Sequence, residues 1–352
     1  MRVEAFIHDE PWPRLQATAR AAEAAGFDAV ACPEITNDPL QTLTVTALAT
    51  SRVSLRTAIL VAFPRSPMVV ATAARVLHEN SGGRLVLGLG TQVKPHVERR
   101  FGVAWPDAPA RALEAYVGAL RAIWACWQAG GPLRYDVDPY RFSLMTPEFA
   151  HAPSAFGPIP VYTAAVRPAM LRLAGRVADG VRLHGFCTRR YLEDVVSPEI
   201  ATGLSQSGRS RDTIEVCGGG FVATGPDDDA VRGMVEKIRY RVAFYASTPA
   251  YLPVMQLHGW DDLAARLHHL SRTGRWAEMA AAVPDDVLRA FTVVAPWRDL
   301  PDAIAARFGG VSDAVELAFA HDTPIEPLRE VLSAIRSIPC AFSRPPTWTS
   351  EA

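Results

Sequence analysis

Lysine is nearly missing from this 352-residue sequence. Lys94 and Lys237 are the only two, so arginine supplies 34 of the 36 basic side chains. We read this as GC-rich coding bias. Neither sign of charge predominates, because 36 basic residues face 37 acidic ones and the net charge is -1. That balance gives no electrostatic reason to bind nucleic acid or an anionic membrane. Long apolar runs are also missing. The longest, Ala58 to Phe63, is far too short to span a bilayer. Cysteine is sparse and scattered: Cys32, Cys126, Cys187, Cys217 and Cys340 form no C-x-x-C pair. This excludes a disulfide framework and a zinc site, and it fits a reducing cytoplasm. The segment Met1 to His8 is too short and too polar for a signal peptide, and reads as a first strand. The expectation is a cytoplasmic protein with a small-molecule substrate and no nucleic-acid or membrane partner.

What is present is an alternation. Apolar residues make up 49% of the chain and charged residues 21%, as in a globular protein. Strand-like segments start near residues 2, 28, 54 and 85, each followed by a helical pattern. Gly26 closes the first helix, and Asp38-Pro39 and Ser66-Pro67 open the next two as N-cap and first position. A long helix over 109–129 follows, then an irregular excursion over 130–158. The alternation resumes with strands over 160–164, 180–184, 213–223 and 312–319. A mostly helical insertion occupies 249–307, except for 291–295. Eight strands, each followed by helix, predict an α/β (β/α)8 TIM barrel with insertions after strands 4 and 7, and a single domain over 1–352. The rival, a doubly wound sheet, calls for a G-x-G-x-x-G turn after its first strand, and none is there.

Barrel sites lie at the carboxyl ends of the strands. Here those ends carry His8; Glu34 with Asn37 and Asp38 beyond it; the apolar stretch 58–63; Gly90, Thr91 and Gln92; Thr163 to Arg167; and His184. The rim is small and apolar with few polar groups. Metal-ligand spacing and a G-x-S-x-G nucleophile motif are both missing, so a metal-dependent or nucleophilic hydrolase is not indicated. A rim of small residues suits a flat aromatic cofactor that needs close backbone approach. Residues 163–167 run into a helix start, which is a ready anion site. Asp38 reads as an N-cap. Gly218-Gly219-Gly220 reads as a bulge, and the aromatic cluster Phe244 to Tyr251 as core. His258, His268 and His269 read as structural or substrate-facing.

Several segments together carry a resemblance. They are Ala21 to Asp28, Arg65-Ser66-Pro67, Ser81-Gly82-Gly83-Arg84 through Gly88-Leu89-Gly90-Thr91-Gln92, and Arg172 to Gly180 with its Ala-Gly-x-x-Ala-Asp-Gly pattern. The chain resembles the luciferase-like monooxygenase superfamily, in its branch of coenzyme F420-dependent oxidoreductases. The runs Ala243 to Tyr251 and His258-Gly259-Trp260 are similar to one subgroup of that branch. The resemblance implies a non-proline cis peptide near Ala58-Ile59 that forms a bulge against the cofactor ring. It implies cofactor contacts at Ala58, Ile59, Gly90, Thr91, Gln92, Thr163, Ala164, Ala165, Val166, Arg167 and His184, with the cofactor phosphate on the loop 164–167. Glu34, His8 and Asn37 are the candidate catalytic residues, with Glu34 or His8 exchanging a proton. It also implies a homodimer. The chain departs from the family pattern at Arg167, where Gly is usual, at Asn37, where His is frequent, and at Val137, where Gly is expected. The first reading is hydride transfer between F420 and a small organic substrate. The alternatives are an FMN-dependent monooxygenase and a non-catalytic cofactor-binding barrel.

Overall fold

A computed structural model describes residues 1–345. Eight parallel strands close on themselves: β1 (Arg2–Phe6), β2 (Ala29–Cys32), β3 (Ser54–Thr57), β4 (Leu85–Gly90), β5 (Val161–Ala165), β6 (Gly180–Leu183), β7 (Glu215–Gly218) and β8 (Ala314–Ala318). The register runs β1–β2–β3–β4–β5–β6–β7–β8 and returns from β8 to β1, where Glu4 lies opposite Glu316. Closure leaves no sheet edge to protect. The expected (β/α)8 barrel is the observed fold.

The strands are apolar because alternate side chains meet the helix layer. Val3, Ala5 and Ile7 of the first strand segment pack outward with Val315 and Leu317 of β8. Leu85, Leu87 and Leu89 pack outward under the helices Pro67–Asn80 and Pro109–Ala129. The opposite parity therefore faces the barrel interior. The expected caps are present. Asp38 and Ser66 accept from the N–H groups of Leu40 and Met68, and Gly26 closes its helix at φ 95°.

Two expected strands are broken. The third was expected to run unbroken through residue 60. It stops at Thr57, the Ala58–Ile59 peptide is cis, and pairing with β4 resumes at Leu60–Val61. The seventh was expected to extend to Ala223. Gly218 and Gly219, at φ 80° and 99°, turn the chain out of the barrel. Residues Phe221–Gly225 then pair in parallel with Thr292–Pro296 from the helical insertion. Left-handed backbone at two successive positions is accessible to glycine and costly for other residues. The excursion after the 109–129 helix forms a short antiparallel hairpin, Tyr135–Val137 with Tyr140–Phe142.

Helices Pro168–Val177 and Ser197–Gln206 cross at Gly175 and Gly203. A Cβ on Gly203 would lie 2.1 Å from the carbonyl oxygen of Arg172 and 2.9 Å from the Gly175 Cα. Both obstacles are backbone, so the helices would have to separate. Gly203→Ala is expected to cost about 1–3 kcal/mol, read as a lower urea midpoint, as overpacking does in a tight core. An unchanged midpoint would show that the crossing shifts freely.

The barrel interior is charged at mid-height. Glu4, Arg56, Arg182 and Glu215 are all buried there. Arg56 Nη1 donates to Glu4 at 2.5 Å and to Glu215 at 2.9 Å, and Arg182 donates to Glu4 at 2.9 and 2.5 Å. Tyr162 donates its hydroxyl to Glu215, and Arg2 closes the lower end on the same carboxylate at 2.7 Å. Burial alone would raise the Glu215 pKa. Arg56 and Arg2 more than offset this and hold it below the ordinary value.

Candidate functional site

Above the charged layer the inward residues shrink. Ala58, Gly90, Ala164 and Ala318 share the upper interior face, with Phe6 and His184 between them. Ala318 is exposed although it sits on the inner wall. The barrel mouth is therefore a well open to solvent, walled by small side chains. A Cβ on Gly90 would lie 2.5 Å from the tip of Ile59, so glycine here is what lets the bulge at 58–59 lean into the well. A Cβ on Gly88, one layer lower, would lie 2.1 Å from the carbonyl oxygen of Thr57.

The rim on the β2–β3 side is tied together by one arginine. Arg65 grips both oxygens of Glu34 at 3.0 Å, and it also donates to Asp38 at 2.9 Å and to the Val61 carbonyl at 2.9 Å. Glu34 in turn accepts from the Val61 N–H at 2.8 Å. Its carboxylate fastens the segment after the cis peptide to β2, and Asp38 serves both as helix cap and as a partner of Arg65. Removing the carboxylate leaves a buried backbone N–H and a guanidinium without their acceptor. Glu34→Ala should therefore lose about 1–3 kcal/mol of stability, with Glu34→Gln recovering part of it in urea unfolding. Equal midpoints for wild type and Glu34→Ala would contradict this.

The other rim candidates are dispersed. Asn37 is exposed, with no hydrogen bond among the described residues. His8 is exposed beside Phe6 at 5.2 Å, and partial burial together with the Arg241 charge lowers its pKa. Thr91 and Gln92 form the turn after β4. Gln92 adopts φ 59°, and its side chain accepts from the Val93 N–H at 3.0 Å. A non-glycine residue in that region is uncommon and clusters at functional sites.

On the β5–β6 side, Ala164 faces the well. Thr163 and Ala165 have the opposite parity and are buried toward the helices. The Thr163 hydroxyl has no partner there among the described residues. Val166 and Arg167 lead into the helix Pro168–Val177, which no side chain caps; Pro168 has no N–H and the Met170 N–H bonds the Arg167 carbonyl at 3.0 Å, so in the first turn only the Ala169 N–H has no partner among the described residues. The Arg167 side chain turns away along the surface, donating to the Ala250 carbonyl at 3.4 Å. Tyr191 pins the loop by donating to the Val166 carbonyl at 3.0 Å. A small cleft beside it is lined by Ala165, Val166, His184, Cys187 and Tyr191.

His184 is held by its neighbours. Its Nδ1 accepts from the Phe186 N–H at 2.9 Å, which places the proton of the neutral ring on Nε2. Tyr245 and Tyr251 pack around it at 4.2 and 4.9 Å. Burial, with the Arg241 charge adding to it, pushes its pKa down to about 4, so the ring is a neutral donor at ordinary pH.

Sequence reasoning missed several of these residues. The cluster Phe244 to Tyr251 was expected to be core. Tyr245 and Tyr251 do join the core, but they also wall the mouth, whereas Phe244 is 41% exposed. Arg241 stands by His8 and His184 with no ion pair among the described residues, and nothing in its helical context marked it. His258 bonds Thr188 at 2.8 Å and stacks on Trp260, so the insertion is anchored to the loop after β6. His268 bonds the Ser247 carbonyl at 2.9 Å. The interior charges did leave a signal. Arg182, Glu215 and Glu316 each sit in an otherwise apolar strand, whereas Glu4 shares its strand with Arg2 and Arg56 its strand with Ser54 and Thr57. Among the described residues no cluster of His, Cys, Asp and Glu could hold a metal, and no helix is long and apolar enough to cross a membrane.

A closed α/β barrel with a small-walled well at the carboxyl end of its strands places the chain in the TIM-barrel class, whose sites lie at that end. Within that class, residues 1–314 match the luciferase-like monooxygenase family, and the chain belongs to it. An uncharacterised protein of Mycobacterium tuberculosis is 44% identical over 304 residues, covering 84% of this chain and 89% of the relative. The 5,10-methylenetetrahydromethanopterin reductase of Archaeoglobus fulgidus is 27% identical over 330 residues, 92% of this chain and 93% of its own. Among solved structures, the coenzyme F420-dependent tetrahydromethanopterin reductase of Methanopyrus kandleri superposes with a TM-score of 0.74 at 22% identity, covering 96% and 97% of the two chains. A long-chain alkane monooxygenase superposes at 0.70 with 14% identity over 96% and 90%. These two superpositions speak for the fold.

Proposed function

We propose that this chain is a coenzyme F420-dependent oxidoreductase that moves a hydride between the deazaflavin and a small organic substrate. The observation that carries this is the well, where the small side chains of Ala58, Ala164 and Ala318 leave an opening beside the Ile59 bulge that Gly90 accommodates. The likeness to a putative coenzyme F420-dependent oxidoreductase of Mycobacterium tuberculosis, 28% identical over 293 residues and 76% of this chain, supports deazaflavin over FMN. When bound, the deazaflavin supplies the two-electron chemistry. The chain's own residues hold and orient it. Ile59, Gly90 and Ala164 pack the ring. The Ala169 N–H at the start of the 168–177 helix would meet the phosphate. Arg167 lies outside that start and leaves it accessible. His184 donates from Nε2 to an acceptor at the ring edge, and Tyr245 and Tyr251 exclude water beside it. Arg241, without an ion pair, draws an anionic ligand toward the mouth. Glu34, committed to Arg65 and Val61, positions the bulge. A homodimer, turning over its substrate in the cytoplasm, completes this reading.

The test is a titration of the purified protein with F420 and, separately, with FMN, followed by ligand fluorescence. Saturable binding of F420 at micromolar concentration, with FMN much weaker, is the expected result. Tight binding of FMN alone would replace the reading with an oxygen-using monooxygenase. Binding of neither would leave a barrel without this cofactor.

A further inference from the structure

The well has a carboxyl group on its floor. Glu316 lies on the inner face of β8, two residues below Ala318 and directly opposite Glu4 of β1. Its position differs from that of the other interior charges. Glu4 and Glu215 have fully buried side chains, whereas one third of the Glu316 side chain is reached by solvent. Below it the interior is sealed by Val86, Tyr162, Cys217 and Ala314. Solvent therefore reaches Glu316 from the mouth, through the same well that Ala318 opens. Its pairing is incomplete as well. Arg182 approaches at 3.5 Å but gives its closer bonds, at 2.9 and 2.5 Å, to Glu4, and the Arg182 Nε has no partner among the described residues.

We propose that Glu316 is the acid of this site, holding at the floor of the well the proton that the reduced substrate takes up. This rests on the hydride-transfer reading above. In reduction of a carbon–nitrogen or carbon–oxygen double bond, the substrate carbon receives the hydride from the reduced deazaflavin. The heteroatom takes the proton. The O–H bond of Glu316 breaks, the new N–H or O–H bond forms, and the carboxylate is left beside Arg182. Water entering at the mouth returns the proton.

The surroundings favour the protonated form. Arg182 from β6, Glu4 from β1 and Arg56 from β3 act on Glu316, and the same inner face carries Tyr162 from β5, His184 from β6, and Glu215 and Cys217 from β7. The inner faces of β2 and β4 present only Ala29, Ala31, Val86, Gly88 and Gly90. Although a third of the side chain meets solvent, burial of the rest pushes the Glu316 pKa up to about 7; the Arg182 charge opposes this and the Glu4 charge adds to it. A carboxyl raised in this way binds its proton more tightly folded than unfolded. Its contribution to stability is present at low pH and is lost as pH rises from the ordinary carboxylate range, about 4.3, through 7.

The experiment uses Glu316→Gln and wild type without cofactor, then with F420. Thermal midpoints are compared from pH 5 to pH 9. The variant's midpoint is expected to rise relative to wild type up to about pH 8 and then run parallel. In parallel, glutamate labelled with carbon-13 at the carboxyl is followed by NMR in wild type, which needs no variant to fold. One resonance titrating near pH 7 is expected. If all labelled carboxyls titrate below pH 5.5, Glu316 is not the acid, whatever the protein binds. With F420 as probe, wild type should lose several-fold more affinity between pH 6 and pH 8.5 than Glu316→Gln does. Equal losses would overturn the placement of Glu316 beneath the ligand. A carboxyl titrating near 7 in a protein that binds no F420 would sink the cofactor reading and leave Glu316 as a proton-holding group.

Discussion

Replacing Arg56 by methionine should destabilise the protein by about 3–5 kcal/mol, the range for removing one partner of a buried ion pair. The size follows from what is left behind. Arg56 is 4% exposed and bridges two carboxylates, Glu4 of β1 and Glu215 of β7, which flank β8. Methionine fills much of the volume but neutralises neither. Glu4 would keep Arg182, and Glu215 would keep the Tyr162 hydroxyl and, as its one cation among the described residues, Arg2, whose side chain is 42% exposed and therefore a weaker partner. Two negative groups would then share a low-dielectric interior with fewer cations. The check is the guanidinium chloride midpoint at pH 7. A second measurement separates charge from packing. At lower pH the stranded carboxylates can take up protons, so the deficit of Arg56→Met should shrink. A deficit below about 1 kcal/mol, or one that does not change with pH, would mean that the network does not depend on this residue.

The second large effect concerns binding. Ala318→Phe should weaken F420 binding by about 100-fold or more, equivalent to about 2.7 kcal/mol. Ala318 faces inward yet is exposed. A phenyl ring there extends into the well, where a flat cofactor would have to lie, without displacing a packed neighbour. Stability should stay within about 0.5 kcal/mol of wild type, as for other exposed positions. The measurement is the F420 fluorescence titration, with thermal melting as the control for folding. A dissociation constant within threefold of wild type would place the ligand elsewhere.

The two variants mark different layers of one interior. The middle layer is charged and closed, and its worth is read in stability. The upper layer is small and open, and its worth is read in binding. Glu316 lies at their boundary, which is why its protonation registers in both.

Much of this was readable along the chain. Period-two apolar strands, proline and glycine at helix ends, and the count of eight units were enough for a closed barrel. The caps at Asp38 and Ser66 and the strand over 292–296 were likewise within reach of local sequence, whereas the cis peptide at Ala58–Ile59 was implied only by the family resemblance. Local patterns report local conformation, and these features are local. The break after Gly218 was not expected, because a short run of glycines does not say which way the chain turns; that depended on a partner strand about 70 residues later.

The site divides in the same way. Sequence placed Gly90, Ala164 and His184 at strand ends, and the mouth is built from them. It could not assign Glu34 to Arg65, since the two are 31 positions apart and meet only through the β2–β3 pairing. It put Thr163 beside Ala164, but parity sends one inward and the other into the helices. It passed over Glu316, which no motif marked. Sequence by itself determined the eightfold alternation and the small side chains at the strand ends. It did so because hydrophobic period and turn chemistry act over a few residues. Tertiary structure alone decided which charges face one another across the barrel, which carboxylate is spent on an arginine and which one stands at the floor of the well. Those outcomes depend on barrel closure and register, which join residues up to 312 positions apart, Glu4 and Glu316 among them.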